Sequence, residues 1–369
     1  MGSISNVEAE YNEDDEQCMF AMQLATASVL PMVLKAAIEL DVLEIMAKHG
    51  PGAQLSSSQV ASHLHPHNAA AASKMLDQMM RLLAAHSILN CTLTTCTDGR
   101  IQRLYALAPV CKFLVKNEDG VSIAPLLFLN QDKAVLQSWY HLKDAVVEGG
   151  APFEKAHKMN GYEYTCKDQG LANLFNNAMR NVSTITMKRM LEMYTGFEGF
   201  NSLVDVGGGT GATLNMIVSK YPHIKGINFD QPHVVASAPA FPGGYQLYCV
   251  DHVGGDMFVA IPSAEAILIK GVLTDWTTER CVEILKNCHK ALPKSGKVII
   301  MEPAVPEEVQ TNAATQCIFQ IDLVITSFTA AGKKTVKELE AMAKLADFAG
   351  FRVVCVAHDH WAMECYKNN

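Results

Sequence analysis

The chain reads as an α/β protein in two parts, a helical, winged-helix-like N-terminal region and a doubly wound C-terminal domain. Three observations carry this. Apolar positions recur at helical spacing from Cys18 to Lys48, and from Asn201 onward short apolar strands alternate with helices. A glycine cluster then ends the first of those strands, in Leu203-Val-Asp-Val-Gly207-Gly-Gly209-Thr-Gly211-Ala212. The 369 residues also exceed what one core fills, since single cores stop growing near roughly 250–300 residues.

Residues 1–17 are polar and acidic (Glu8, Glu10, Glu13, Asp14, Asp15, Glu16) and are expected to form a flexible, solvated terminus. They lack the basic and apolar regions of a secretory signal, and Asn6 stands where a myristoylation site started by Gly2 needs Ser or Thr. No apolar run reaches the ~18–20 residues of a membrane span, so a cytoplasmic protein is expected.

Residues 18–120 are read as a winged-helix-like dimerisation domain. Met22, Leu24, Val29, Met32, Val33, Ala36, Leu40 and Leu43 follow helical spacing, broken only by Pro31, with more apolar surface than one buried face uses. A second copy is the expected cover, giving a homodimer. Leu55-Ser-Ser-Ser-Gln-Val-Ala opens a short helix on hydroxyl caps, and Ala70–His86 forms the next. Ile88–Thr95 and Ile101–Ala108 read as strands around the turn Thr97-Asp98-Gly99. DNA reading is not expected, because the second helix offers only Lys74 and Arg81.

Residues 121–200 read as a helical linker and substrate-pocket region containing the aromatic clusters Trp139-Tyr140-His141 and Tyr162-Glu-Tyr164. Residues 201–369 then alternate: strand Ser202–Val206, a helix to Tyr221, strands Lys225–Phe229, Tyr245–Val250 and Ala266–Ile269, helix Thr278–Ala291 and strand Lys297–Glu302. A long helix from about Thr311, a helix Val336–Ala349, and strands Arg352–Val356 and Ala362–Tyr366 complete it. Unalternated apolar strands indicate a parallel sheet covered on both faces.

With 49% hydrophobic residues, 18% charged and a net charge of −8, the chain is neither disordered nor suited to a phosphate backbone. Its 11 cysteines show no paired spacing and are expected as small buried hydrophobes rather than disulfides. His63-Leu-His65-Pro-His67 is read as solvated rather than metal-binding, and no metal is expected.

The glycine loop lets a ligand approach the backbone where the next helix begins, and Gly207, Gly209 and Ala212 fit the dinucleotide fingerprint. Asp230, ending the second strand, is placed to accept two ribose hydroxyls. NAD and S-adenosylmethionine (SAM) both suit that pairing.

The whole chain resembles the plant phenolic O-methyltransferases of the caffeic acid type, which use SAM. The matching blocks run in order: Trp139-Tyr-His-Leu-Lys-Asp144, Tyr194-Thr-Gly-Phe-Glu198, Leu203 to Gly211, Asn228-Phe-Asp230, Val253-Gly-Gly-Asp256-Met257-Phe258 and Leu285-Lys-Asn-Cys288. The resemblance implies a Rossmann-like methyltransferase domain, a dimerising N-terminal domain, no metal, and SAM or S-adenosylhomocysteine (SAH) as cofactor. It assigns Gly207 and Gly209 to the cofactor loop, Asp230 to the ribose, Asp256 and Met257 to the adenine, and Lys270 to a place beside the cofactor.

The resemblance fails at one point. Methylating a phenol of pKa about 10 requires removing its proton. The family uses a His followed by Asp-Trp, supported by glutamates from two other loops, and the matching stretch here is Lys270-Gly-Val-Leu-Thr274-Asp275-Trp276. Thr274 cannot serve as a base near neutral pH. Glu302 matches one glutamate, whereas Gly332-Lys333-Lys334-Thr335 runs one residue short and puts Lys334 near the other. A family His is Val182, a family Asn is Thr329, and Asn130 is retained.

Because these polar changes occur together while the cofactor residues stay, the leading expectation is a non-methylating cyclase, a pericyclase of Diels–Alder or hetero-Diels–Alder type acting on a small aromatic or quinone-methide-like metabolite. Thr274 and Lys334 would donate hydrogen bonds, Asp275 and Glu302 would position the substrate, and Asn130 would orient a ring oxygen. Leu129, Phe175, Met179, Val182, Trp276, Ile321, Ile325 and Thr329 would line the substrate pocket. The alternatives are methyl transfer to an acidic phenol or enol that arrives ionised, and a catalytically inactive heterodimer partner.

Overall fold

The computed structural model describes residues 12–96, 99–236, 238, 250–329 and 331–367. They fall into two compact units that divide between Gln131 and Asp132.

In the first unit α1 (Glu13–Ala25), α2 (Val29–Glu39) and α3 (Val42–Lys48) replace the single stretch interrupted at Pro31. Asn12 caps α1 through a reciprocal box with Asp15, so residues 13–17 are helical and not a flexible tail. Pro31 lies in the first turn of α2, where its missing N–H removes no intrahelical bond. The interruptions fall instead between α1 and α2, which bend by 52°, and at Asp41, whose φ of +54° is left-handed. No single described helix is long and apolar enough to cross a membrane. None of the α1 residues is buried, and Phe20 is 56% exposed alongside Met19, Met22 and Leu24.

Helix α4 (Ser57–His63) opens on a Ser56–Gln59 capping box, and Asn68 caps α5 (Ala69–Ala85). Strands β1 (Leu89–Thr95) and β2 (Ile101–Leu107) pair antiparallel, Leu89 opposite Leu107 and Thr95 opposite Ile101. Thr97 and Asp98 of the expected turn lie outside the described residues. A bridge from Leu55 to Tyr105 ties the entrance of α4 to this wing, and Val42, Met46, Val60, Met80, Leu83 and Tyr105 pack as its core. Helix α6 (Ala124–Asn130) ends the unit.

The second unit begins with α7 (Lys133–Trp139), α8 (Leu142–Glu148), α9 (Pro152–His157), α10 (Gly161–Lys167) and the long α11 (Gln169–Met193). The alternation follows: β3 (Ser202–Val206), α12 (Ala212–Lys220), β4 (Lys225–Asp230), α13 (Pro232–Val235), β5 (Val250–Gly254), β6 (Ala266–Lys270), α14 (Thr278–Ala291) and β7 (Lys297–Pro303). Then come α15 (Ala313–Thr329), α16 (Val336–Leu345), β8 (Gly350–Ala357) and β9 (His360–Tyr366). Residues 245–249 of the expected third strand lie outside the described residues, and the observed strand starts at Val250. Helix α16 stops at Leu345, short of Ala349, because the backbone turns left-handed at Asp347 and enters β8 at Gly350.

The seven strands are ordered β5-β4-β3-β6-β7-β9-β8, with β9 antiparallel to both neighbours. Two residues join β8 to β9, far fewer than the dozen or so that a parallel crossover needs. Successive strand residues point to opposite faces. Val204, Val206, Ile267, Ile269, Val298 and Ile300 pack with α14 and α16, while Leu203, Ala266, Leu268, Ile299 and Met301 pack with α11 and α12. Two such cores are why these strands read as continuous apolar runs.

Candidate active site

The strand order reverses at β3, which has β4 on one side and β6 on the other, and ligands bind outside the carboxyl ends of strands at such a point. A cleft of about 490 Å3 lies there, lined by Gly207, Asp230, Asp256, Met257, Phe258 and Trp276 among others. Gly207, Gly209 and Gly211 hold φ of +69°, +59° and +83°, a region that favours glycine. A Cβ on Gly208 would lie 2.1 Å from Asn228 Oδ1. The loop is tied from β4: the Gly209 N–H donates to Asp230 Oδ2 (2.8 Å), the Gln231 N–H to Asp230 Oδ1 (2.6 Å), and Asn228 Nδ2 to the Gly209 carbonyl (2.8 Å). Across the cleft the Phe258 N–H donates to Asp256 Oδ1 and Asn287 Nδ2 to the Met257 carbonyl, both at 2.9 Å. Trp276 meets Phe258 edge-on with ring centroids 4.8 Å apart.

At the end of β6, Lys270 Nζ donates to Ser183 Oγ of α11 (2.9 Å). Burial pushes the Lys270 ammonium down, with the Asp205 and Glu302 charges opposing. Burial pushes Asp205 up to about 7, Lys270 opposing and Asp230 adding to it, and Asp205 Oδ2 has no hydrogen-bond partner among the described residues.

A short 3₁₀ turn, Leu273–Asp275, follows β6. Thr274 is 7% exposed, and its Oγ1 is buried without a partner among the described residues. Glu302, at the end of β7, holds this turn by accepting the N–H groups of Val272 (2.7 Å) and Leu273 (2.8 Å) on Oε1, while Oε2 has no partner among the described residues. Burial raises Asp275 to about 6 against a hydrogen bond from Tyr162 and the charge of Lys334. Lys334 is not free to serve a substrate: its Nζ donates to the carbonyls of Trp276 (2.6 Å) and Gly332 (2.8 Å), stapling two backbone segments.

Of the expected wall, Phe175, Met179 and Val182 lie on α11 and Ile321, Ile325 and Thr329 on α15. The Thr329 hydroxyl is spent at the end of α15, donating to the Ile325 carbonyl and accepting the Ala331 N–H, both at 3.1 Å, so it is a helix terminator and not a free pocket polar group. Leu129 and Asn130 lie on α6 of the first unit. The run His63 to His67 shows no metal arrangement: His63 Nδ1 donates to the Gln59 carbonyl, and the described residues hold no group of three or more metal-ligating side chains.

Sequence reasoning missed several polar residues. Tyr162 bonds Asp275 and meets Phe175 edge-on, Ser183 receives Lys270, and Asn228 braces the glycine loop. The Lys333 side chain is fully buried with Nζ 3.7 Å from Asp359, whose other oxygen pairs with His360 Nδ1 (2.8 Å). Tyr162 appeared only as part of an aromatic cluster, Asn228 and Lys333 only inside quoted blocks, and the Asp275 partner of Tyr162 is over a hundred positions away.

Two family models match: an O-methyltransferase dimerisation domain over residues 22–117 and an O-methyltransferase domain over residues 139–352. The chain is 57% identical over 355 residues to a caffeic acid 3-O-methyltransferase of Capsicum annuum, covering 96% of this chain and 97% of that one. It is 55% identical to an esculetin O-methyltransferase of Kitagawia praeruptora over 356 residues, 96% of each chain. Human N-acetylserotonin methyltransferase, solved in complex with SAM, superimposes with a TM-score of 0.77 at 20% identity over 100% of both chains. The calicheamicin-biosynthesis methyltransferase CalO1, in its SAH-bound form, gives 0.79 at 20% identity over 97% of this chain and 99% of that one. These two likenesses concern the fold. The expectation of a pericyclase finds no support among these relatives, and methyl transfer fits them better. The chain belongs to the O-methyltransferase family of the caffeic acid type, with that family's dimerisation domain followed by its O-methyltransferase domain.

Proposed function

We propose that this chain is a SAM-dependent O-methyltransferase of plant phenolic metabolism whose acceptor is a small, acidic phenol or enol, and that it works as a homodimer. The observation that supports it best is the cleft lined by Gly207, Asp230, Asp256, Met257 and Trp276; the turn just before Trp276 carries Thr274, where the resemblance puts an imidazole.

The residues present fit SAM. A Cβ on Gly207 would run into Val272 and one on Gly208 into Asn228 and Asp205, so the loop holds this close turn, with its backbone open to a ligand, only as glycine. The Asp230 carboxylate has about four acceptor sites and uses two on backbone N–H groups, leaving two for ribose hydroxyls. Asp205 Oδ2, buried and unpaired, suits the ammonium of an amino-acid arm. Bound there, SAM supplies a methyl group on a sulfonium, an electrophile that needs an in-line oxygen. Gly207 and Gly209 would cradle it, Asp256 and Met257 frame the base, and Lys270 stand alongside. Thr274 would donate a hydrogen bond to the acceptor oxygen, Asp275 and Glu302 would orient it, and Phe175, Met179, Val182, Trp276, Ile321 and Ile325 would form the apolar wall. The exposed apolar side chains of α1 would meet a second copy.

The test is incubation with methyl-labelled SAM and phenols and enols of graded acidity. Label should reach the acidic members at ordinary turnover. No label in any product overturns the reading, and ring closure of a quinone-methide probe without label would restore the cyclase.

A further inference from the structure

Glu302 is 2% exposed, and its two oxygens differ. Oε1 is saturated by the Val272 and Leu273 N–H groups, which lead directly into Thr274. Oε2 is buried with no partner among the described residues, and so is Thr274 Oγ1 on the turn that Glu302 holds. Each orphaned oxygen carries a desolvation penalty that a ligand atom would relieve, and the two belong to one turn and to the carboxylate that holds it. The neighbouring ionisable groups are engaged: Asp275 with Tyr162, Lys334 on two carbonyls, Lys270 on Ser183.

We propose that Glu302 Oε2 is the proton acceptor of the reaction, with Thr274 Oγ1 donating a hydrogen bond to the same substrate oxygen, and that this pair selects hydroxyls more acidic than an ordinary phenol. The proposal rests on the methyl-transfer reading above. The substrate O–H bond breaks onto oxygen and its proton goes to Oε2. The oxygen lone pair then forms the O–C bond as the carbon–sulfur bond breaks onto sulfur. A methyl ether, a neutral thioether and a neutral Glu302 remain, and the proton leaves to water with the product. One carboxylate charge and one sulfonium charge are cancelled.

Burial brings Glu302 up to about 7, with the Leu273 and Val272 N–H groups and Lys270 opposing and Asp275 adding to it. Lys333, on the loop before α16, and Cys281, on α14, also face it. A carboxylate made more basic by burial still accepts a proton more readily from an acidic hydroxyl than from an ordinary phenol, which favours the acidic substrate.

The experiment uses the full chain saturated with SAH and 4-nitrocatechol as a chromophoric probe. In the wild type the phenolate band should strengthen on binding at about pH 7, where part of Glu302 is still ionised, with no net proton released to buffer by calorimetry in two buffers. Glu302→Gln keeps a carbonyl for the Val272 and Leu273 N–H groups, so SAH affinity should hold while the bound probe stays neutral. Its kcat/KM should lose the limb that rises through about pH 7, with a fall of about 10²–10⁴. His360→Gln, removing the buried imidazole near Lys270, should change neither readout. A phenolate band that persists in Glu302→Gln, a limb that vanishes in His360→Gln, or a full proton released by the wild type each overturns the proposal. If Glu302→Gln fails to bind SAH, the wild-type proton count decides alone. Failure of the methyl-transfer reading shows separately, as label that never leaves SAM while the band and proton count still report on Glu302.

Discussion

Replacing Glu364 by Gln tests how the far end of the sheet is held. The Glu364 carboxylate on β9 is 1% exposed and accepts from Lys297 Nζ (2.5 Å), Tyr194 Oη (2.6 Å), Arg352 Nη2 (2.7 Å) and Tyr366 Oη. Burial alone would raise its pKa, yet these donors bring it down to about 2 from an ordinary value of 4.5. At 1.36 kcal/mol per unit the difference is worth about 3 kcal/mol. Breaking a buried pair costs about 3–5 kcal/mol by a separate route, because Lys297 keeps its charge without a counterion. Glu364→Gln should therefore lower Tm by roughly 6–12 °C at fixed protein concentration and pH 7. The folded pKa lies below the unfolded one, so the contribution is complete above pH 4.5 and is lost as pH falls toward 2. Urea melts at pH 7 and pH 3.5 should show the gap between wild type and variant narrowing by about 1.4 kcal/mol. A gap under about 1 kcal/mol at pH 7, or one that does not narrow, refutes the argument.

Three further outcomes are expected. Gly208→Ala sets a Cβ 2.1 Å from Asn228 Oδ1 and 2.8 Å from Asp205 Oδ2, so SAH binding by calorimetry should be lost and stability should fall by about 1–3 kcal/mol; unchanged affinity would show that the loop gives way. Thr274→His places an imidazole on the turn that Glu302 holds, and turnover of ordinary phenols should rise by up to about 10²–10⁴, with no rise at all counting against the need for a stronger base there. Phe20→Asp on exposed α1 should leave the chain folded by far-UV circular dichroism and shift sedimentation from dimer to monomer; a dimer that survives places the contact elsewhere.

Much of the fold was legible because it is written in local periodicity. Strand Ser202–Val206 and helix Thr278–Ala291 fall where the apolar pattern puts them, and the wing strands lie within a residue of expectation. The breaks in the N-terminal helices were not legible, since Asp41 adopts a left-handed backbone that its residue type does not announce and Pro31 is harmless in a first turn. Of the candidate site, Gly207, Asp230, Asp256, Met257 and Trp276 do line one cleft. Lys334 and Thr329 read as free polar groups and are spent on backbone, because a side chain's partner is chosen by whatever lies across the fold.

By itself the sequence determined two domains, a doubly wound sheet, a glycine cradle and the absence of an imidazole at position 274, since each is a matter of residue identity and spacing along the chain. Only the tertiary structure decided that Glu302 grips the turn before Thr274 and leaves one oxygen unpaired, that Tyr162 reaches Asp275, and that Lys333 is buried against Asp359. Such pairings join residues up to more than a hundred positions apart. They depend on burial and on which donors and acceptors packing brings together, and so does the basicity of every group in the site.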